Sequence, residues 1–473
     1  MSINVDQKDV LLVSLTGLVS QYTEEDVMVE DSGLSRGDKR RNAKLAALRE
    51  LVPVDNAVFA IDLADHKQVA VLVDHDSRVL KRQRVKARAW QLGPVLDWAR
   101  EQARKRGFAD ATIACEPTGH RWRVLDQLAA ERDMTLVCVQ PLLVGQARQT
   151  EDYTRDKTDD KDAVLIARLV TELHCYVPER PDEAWAELRH LGAYRDQLIT
   201  TATTCRQQLR DLLECAWPAV LTAAAEPFDS ITWCATLAAV LDCYDGHLER
   251  PAHRSYKRFE AAIRRELPRW GAKQGPCQRI AYAVYAALTD SAGVIAQRRG
   301  ALRRARWVLA DWHATKTRLA QVQDRMLAII DELGLTQIAG TIPGVSVLGV
   351  ASILAETGDP TRFTNPRALA KHAGLCPRED TSGTMTGRSR ISRRGRPRLR
   401  LAAWRAVWGA LSHNPVMAAR YQHLTTREHN RLTPGQARAA IAAALLRQIH
   451  VITVQRTPWN AAIASAAKHP TAA

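Results

Sequence analysis

Between residues 57 and 170, short apolar runs alternate with amphipathic stretches in an order that few folds can accommodate. AVFAIDLA is a buried strand that ends on an acid, Asp62. QVAVLVDHDSRVLKRQRV carries two more strands around a turn signal at Asp74–Ser77. Residues 89–106 suit a helix, ATIACEP a further strand closing on Glu116, and RWRVLDQLAAER a helix. MTLVCVQP reads as another strand and DDKDAVLIARLVTEL as the helix after it. The order is three strands, helix, strand, helix, strand, helix. It predicts an α/β domain whose first three strands form a meander.

The rest of the chain reads as helical. Residues 184–216 place Leu188, Leu191, Leu198, Ala202, Cys205, Leu209 and Leu212 at alternating steps of three and four, with Arg195 filling the missing place. Residues 302–333 repeat the pattern from Leu302 to Leu333. Both are heptad-like, and two arrangements satisfy them: a coiled-coil or dimer seam, and an antiparallel hairpin within one chain. The Trp-, Ala- and Arg-rich segment between them, 217–300, predicts helices and shows no chemistry. IAGTIPGVSVLGVASILAETGD opens a third unit and resembles a helix-hairpin-helix, with Ser346 where a second glycine is usual. A plain packing turn is the competing reading. The expected divisions are an extension at 1–55, loosely ordered or with a short helix near its end, an α/β domain at 56–180, a helical coiled-coil region at 184–335, a third domain at 336–455 and a tail at 456–473.

Charge narrows the partners. The 473 residues carry a net charge of +15, which favours a polyanion. No run of 18 uncharged apolar residues offers a membrane span, and the N-terminus lacks the basic start of a signal peptide. Nine cysteines without C-x-x-C pairs fit buried thiols in a reducing cytoplasm.

The strand order resembles the ribonuclease-H-like fold, in which the ends of the first and fourth strands lie side by side. Asp62 and Glu116 occupy those ends. Asp159 and Asp162, in KTDDKDA, share a helix face by their i, i+3 spacing, and Asp160 points away. Four carboxylates brought together repel unless divalent cations neutralise them, and hard oxygen donors suit Mg²⁺. Two such ions can stabilise the attacking and leaving oxygens of a phosphoryl transfer. The second cluster is basic: between Arg388 and Arg405 there are eight arginines and no acid. Arg388, Arg390, Arg393, Arg394, Arg396, Arg398 and Arg400 are therefore candidate phosphate contacts. A solvated basic loop is the alternative. Ser382, in a polar Gly-containing loop, is a candidate nucleophile. Spacing alone does not choose it over Ser389 or Ser392.

The motifs Ile61-Asp62-Leu63, CEPTG at 115–119, KTDDKDA at 157–163, and the stretch from IPGV through AGLCPREDTSG to GRSRISRRG are similar to those of the insertion-sequence one-ten family of transposases. The resemblance covers 57–215 and 336–450. It implies a RuvC-like DEDD domain, a coiled coil, and a mostly helical C-terminal transposase domain. Asp62, Glu116, Asp159 and Asp162 would be the metal-binding tetrad, and Ser382 the nucleophile that links to DNA. It also implies donor and target DNA and a bridge RNA as partners. The active site would combine one protomer's acids with another's serine in an oligomer from dimer to tetramer, in a bacterial cytoplasm near the nucleoid. The N-terminal extension and the long middle segment depart from the family pattern, as does Arg396, where an asparagine is common. Two other functions compete: a RuvC-like hydrolytic nuclease that needs no Ser382, and a non-catalytic nucleic-acid-binding protein.

Overall fold

The computed structural model describes residues 33–64, 67–86, 88–151, 158–243, 247–378, 381–382, 385–386 and 390–466. The chain divides into two compact units. The first is Met1–Arg180 with Thr361–Asn365; the second is Pro181–Pro360 with Pro366–Ala473.

The first unit is built on a five-stranded mixed sheet of order β3-β2-β1-β4-β5. β1 (Ala57–Asp62), β2 (Gln68–Val73) and β3 (Val79–Val85) form the antiparallel meander. Short turns permit only that pairing; the one between β2 and β3 holds Ser77 at φ 64°. Then α2 (Gly93–Arg104) leads to β4 (Ala111–Cys115), which pairs parallel to β1, and α3 (Arg121–Ala130) leads to β5 (Leu136–Cys138), parallel to β4. A helix of this length is what lets the chain return to the same sheet edge in parallel.

Period-two alternation assigns each strand residue to a face. In β1, Phe59 and Ile61 join the core that holds Leu96 of α2 and Leu125 of α3. Val58 and Ala60 join the opposite core, with Leu48, Val144 and Ile166. Leu48 belongs to α1 (Arg36–Leu51), Val144 to α4 (Pro141–Glu151) and Ile166 to α5 (Asp159–Thr171). The expected helix near the end of the N-terminal extension is therefore α1, whose Leu48 seals the sheet; residues 1–32 lie outside the described residues. Helix α4 was not anticipated from the sequence, although Pro141 is a sound helix start.

The second unit is helical apart from two small β ladders. Its axis is a pair of long helices, α6 (Glu183–Ala216) and α10 (Ile295–Glu332). Arg325 reaches Glu187, Arg318 the Tyr194 hydroxyl and Arg298 the Ala216 carbonyl. Partners that move in opposite directions along the two helices define an antiparallel hairpin within one chain, the second of the two arrangements the heptads allow. The segment between them folds as a helical insert, with α7 (Ile231–Cys243), α8 (Tyr256–Glu266) and α9 (Gln278–Ala287) around buried Trp217, Phe228, Trp233 and Phe259. Both buried indoles find acceptors, Trp217 on the Ala287 carbonyl and Trp233 on that of Val220, each at 2.8 Å.

After α10 come α11 (Thr336–Ala339), α12 (Val347–Thr357) and α13 (Pro366–His372). The turn between α11 and α12 packs closely on protein. A Cβ on Gly344, at φ +76°, would sit 2.1 Å from the Gly409 carbonyl oxygen of α14 (Pro397–His413). Ser346 caps α12 by accepting from the Gly349 amide. The close approach to α14 gives the turn a packing role, and the cap is one that a serine hydroxyl can make and a glycine cannot. α15 (Pro415–Thr426) and α16 (Pro434–Gln455) complete the unit. α16 is the one described helix long and apolar enough to cross a membrane, and 61% of its apolar window is buried within the protein.

Candidate active site

The parallel pairing of β1 with β4 matches Ile61 with Cys115, so Asp62 and Glu116 follow at adjoining strand ends. Asp62 continues the Val58–Ala60 row, and Glu116 comes two residues after Ala114. Alternation thus directs both toward the face covered by α5. Both are half-buried.

Helix α5 is started by Thr158, whose hydroxyl accepts from the Lys161 amide. Its first turn carries Asp159, Asp160 and Asp162, where carboxylates favour the helix dipole. Helical spacing sets Asp159 four residues before buried Ala163, and Asp162 four before buried Ile166. Both therefore extend the helix face that packs on β1 and β2. Asp162 is buried and Asp159 exposed.

Two arginines that sequence reasoning passed over shape this end of α5. Arg148, from α4, donates to Asp162 Oδ1 through Nε at 2.9 Å and Nη2 at 2.7 Å. The buried carboxylate thus already faces a cation. Asp160 points away from the other acids, as its spacing requires, yet it is engaged: Arg82 lies at 3.0 Å and Arg84 bonds its second oxygen. Hydrogen bonding to Arg84, then to Arg82, holds the Asp160 carboxyl below the usual carboxylate range. Both arginines belong to the edge strand β3, so Asp160 ties the start of α5 to the sheet. No signal in the local sequence names such partners, because they come from segments 14 and more than 70 residues away.

The donor set tests well for a hard divalent cation in kind, as four carboxylates from three segments, and in the shared face of Asp62, Glu116 and Asp162. The described side chains do not close into a group of three ligands.

In the second unit, Ser382 lies in a small β arm. β6 (Pro377–Arg378) pairs with β9 (Arg390–Ile391), and β7 (Thr381–Ser382) with β8 (Met385–Thr386), matching Ser382 with Met385. Ser382 is thus the last strand residue before the arm's tip, where the sequence predicts a loop. Ser392 sits at the base, its hydroxyl 3.4 Å from the Cys376 thiol; Ser389 lies outside the described residues. Glycines make the base possible. A Cβ on Gly395 would lie 2.4 Å from the His372 carbonyl oxygen, and one on Gly374, at φ +70°, within 3.0 Å of the Arg393 backbone.

The arginine run divides. Arg390, Arg393, Arg394 and Arg398 are exposed. Arg396 instead donates to the Glu356 carbonyl at 2.9 Å and pairs with its buried carboxylate at 3.6 Å. Arg400 donates to the Ala373 carbonyl at 2.9 Å. These two hold the arm's base to its neighbours, which gives them a structural task that the sequence reading did not assign. Arg388 lies outside the described residues.

A mixed sheet with acids at its central strand tips, beside an acid-bearing helix, is the frame of RuvC-like phosphoryl-transfer domains, and here a second, largely helical unit carries a serine arm. Residues 59–218 match the DEDD transposase family of IS110, and residues 336–422 match the transposase family IS116/IS110/IS902. The chain belongs to the IS110 family of transposases, enzymes that cut and rejoin DNA. The match to a DEDD transposase domain points to divalent-metal use.

Among its relatives, an uncharacterised 43.6 kDa protein of insertion element IS110 from Streptomyces coelicolor is 27% identical over 57% of this chain and 65% of its own length. A protein named as a mini-circle putative transposase for IS117, from the same organism, is 25% identical over 78% of this chain and 87% of its own. An uncharacterised 44.8 kDa protein of IS116 from Streptomyces clavuligerus is 26% identical over 73% and 82%.

Proposed function

We propose that this transposase moves its insertion sequence through a covalent serine–DNA intermediate, with Asp62, Glu116, Asp159 and Asp162 holding Mg²⁺ and Ser382 as the nucleophile. The observation that carries the acidic half is the register of β1 on β4, which seats Asp62 and Glu116 on the face covered by α5. The serine half rests on the family resemblance and on the place of Ser382 at the end of a β arm. When bound, the metal would supply charge neutralisation for the phosphate and acidify a coordinated oxygen.

The chain's own residues do the rest. The Ser382 hydroxyl attacks the scissile phosphorus: its O–P bond forms as the bond to the leaving strand's oxygen breaks, and its proton passes to that oxygen or to solvent. The phosphodiester energy stays in the protein–DNA link for rejoining, so no nucleotide is consumed. This agrees with the absence of a G-x-x-x-x-G-K-[ST] loop from the sequence. Arg390, Arg393, Arg394 and Arg398 would meet phosphates, a reading supported by their exposure. Donor and target DNA selected through a bridge RNA, and an oligomer that pairs one protomer's acids with another's serine, complete the proposal.

Asp62→Asn tests the acidic half. The variant should lose DNA cleavage while keeping its fold and its affinity for DNA. Cleavage at the wild-type rate would remove Asp62 from the site.

A further inference from the structure

The last part of the chain is short of negative charge. Between Pro366 and Ala473 stand 18 lysines and arginines against three acids, Glu379, Asp380 and Glu428. Most of the cations reach solvent or a backbone carbonyl. Three sit on helices that pack together: Arg420 on α15 and Arg447 on α16, both half-buried, and Arg367 on α13, which is exposed. Helix α16 packs against both α13 and α15, which brings the three side chains together.

Arg420 and Arg447 are half-buried. The Arg420 Nε is shut off from solvent and has no hydrogen-bond partner. No ion pair with a carboxylate is formed by any of the three among the described residues. The charges that face Arg447 are the guanidiniums of Arg420 and Arg367. Burial first, and these two neighbours second, weaken the hold of Arg447 on its proton. Burial alone does the same at Arg420.

Arg420 and Arg447, partly desolvated side by side with exposed Arg367 as a third like charge and no counter-charge, are costly to keep. Arginine forks in this setting match the oxygens of a phosphate, which would supply the missing charge and hydrogen bonds at once. None of the three is among the residues of the Ser382 arm or the exposed arginines at its base. We propose that Arg367, Arg420 and Arg447 form a phosphate-binding site that takes a backbone phosphate of a nucleic-acid strand. This rests on the reading of the chain as a nucleic-acid enzyme, but it needs neither the acidic tetrad nor Ser382. The alternative is a packing role, in which the aliphatic stems fill space and the charged ends are incidental.

The test uses the full chain and two variants, Arg420→Met and Arg447→Met, which keep apolar bulk and remove charge. Two probes are used: inorganic phosphate, read by thermal melting, and a random-sequence DNA duplex of about 30 base pairs, read by the salt dependence of binding. Phosphate should raise the wild-type melting temperature and raise that of each variant less. In phosphate-free buffer the variants should melt no lower than wild type, because a repelling charge is gone. The slope of log K against log salt should become shallower by about 0.9 for each DNA phosphate that is no longer neutralised.

Variants that melt lower without phosphate and keep the full phosphate response would show a packing role and overturn the proposal. Loss of the phosphate response with an unchanged DNA slope would mean a free-anion site and overturn the nucleic-acid assignment. If either substitution prevents folding, Arg447→Lys decides. It keeps charge but loses the fork, so it should retain most of the slope and lose most of the phosphate response; a full response would overturn the site. Adduct formation by Ser382 enters neither readout, so failure here is distinguishable from failure of the proposed chemistry.

Discussion

Arg148 changes what a substitution at Asp162 can report. The carboxylate is buried and its charge is met by one guanidinium, so Asp162→Asn removes a metal-ligand candidate and also strands a mostly buried cation. Breaking one side of such a pair costs about 3 kcal/mol or more, which lowers the melting temperature of a unit this size by roughly 6–12 °C. Thermal melts of Asp162→Asn should show that drop, and adding Arg148→Met should recover most of it. An unchanged melting temperature in the single variant would mean that the pair does not form. Loss of cleavage in Asp162→Asn is therefore read together with the melting temperature of the variant.

Asp160 makes a different residue-scale prediction. Its folded carboxyl is held below the usual range by Arg84 and Arg82. A depressed acid contributes stability that is present above the unfolded value, about 3.9, and is lost as pH falls through the folded value. The stability gap between wild type and Asp160→Asn should thus be full near neutral pH and close below about pH 4. Both partners are substantially exposed, so the gap should also shrink with salt. A pH-independent gap would show that the arginines are not the cause.

At the scale of elements, β1, β2, β4 and β5 were legible because burial on both faces of a sheet leaves continuous apolar runs, while the exposed edge strand β3 was legible from the turn signal before it. The ends of β1 and β4 followed from that order, and Asp62 and Glu116 with them. The choice between a seam and a hairpin for the two heptad helices was not legible, since periodicity records an apolar stripe and not its partner. Helix α4 escaped because Gly145 interrupts a short segment whose stabilising contact, Arg148 with Asp162, belongs to the fold. Ser382 could be singled out only through the family resemblance.

The turn between α11 and α12 offers an element-scale test. A methyl group at Gly344 would meet the Gly409 carbonyl in a backbone conformation that L residues avoid. Gly344→Ala should destabilise the second unit by about 1–3 kcal/mol from strain alone, before the clash, as read by chemical denaturation. Wild-type stability would mean that this turn stands clear of α14, with its backbone open to a phosphate.

For the whole molecule, the distribution of charge separates the roles. The first unit brings carboxylates to one sheet end and meets two of them with arginines. The second carries the serine arm, and from Pro366 to Ala473 it holds 18 lysines and arginines against three acids. Such a division suits an enzyme that holds phosphates with one unit and handles their chemistry with acids from another, and it explains the net charge of +15. The central claim is the covalent link. With donor and target DNA and the proposed bridge RNA, a denaturing gel should show a protein–DNA adduct that resists SDS and disappears on protease treatment. Ser382→Ala should abolish both the adduct and recombination while still assembling on DNA. An adduct that persists in Ser382→Ala, or recombination with no adduct in the wild type, would contradict the account.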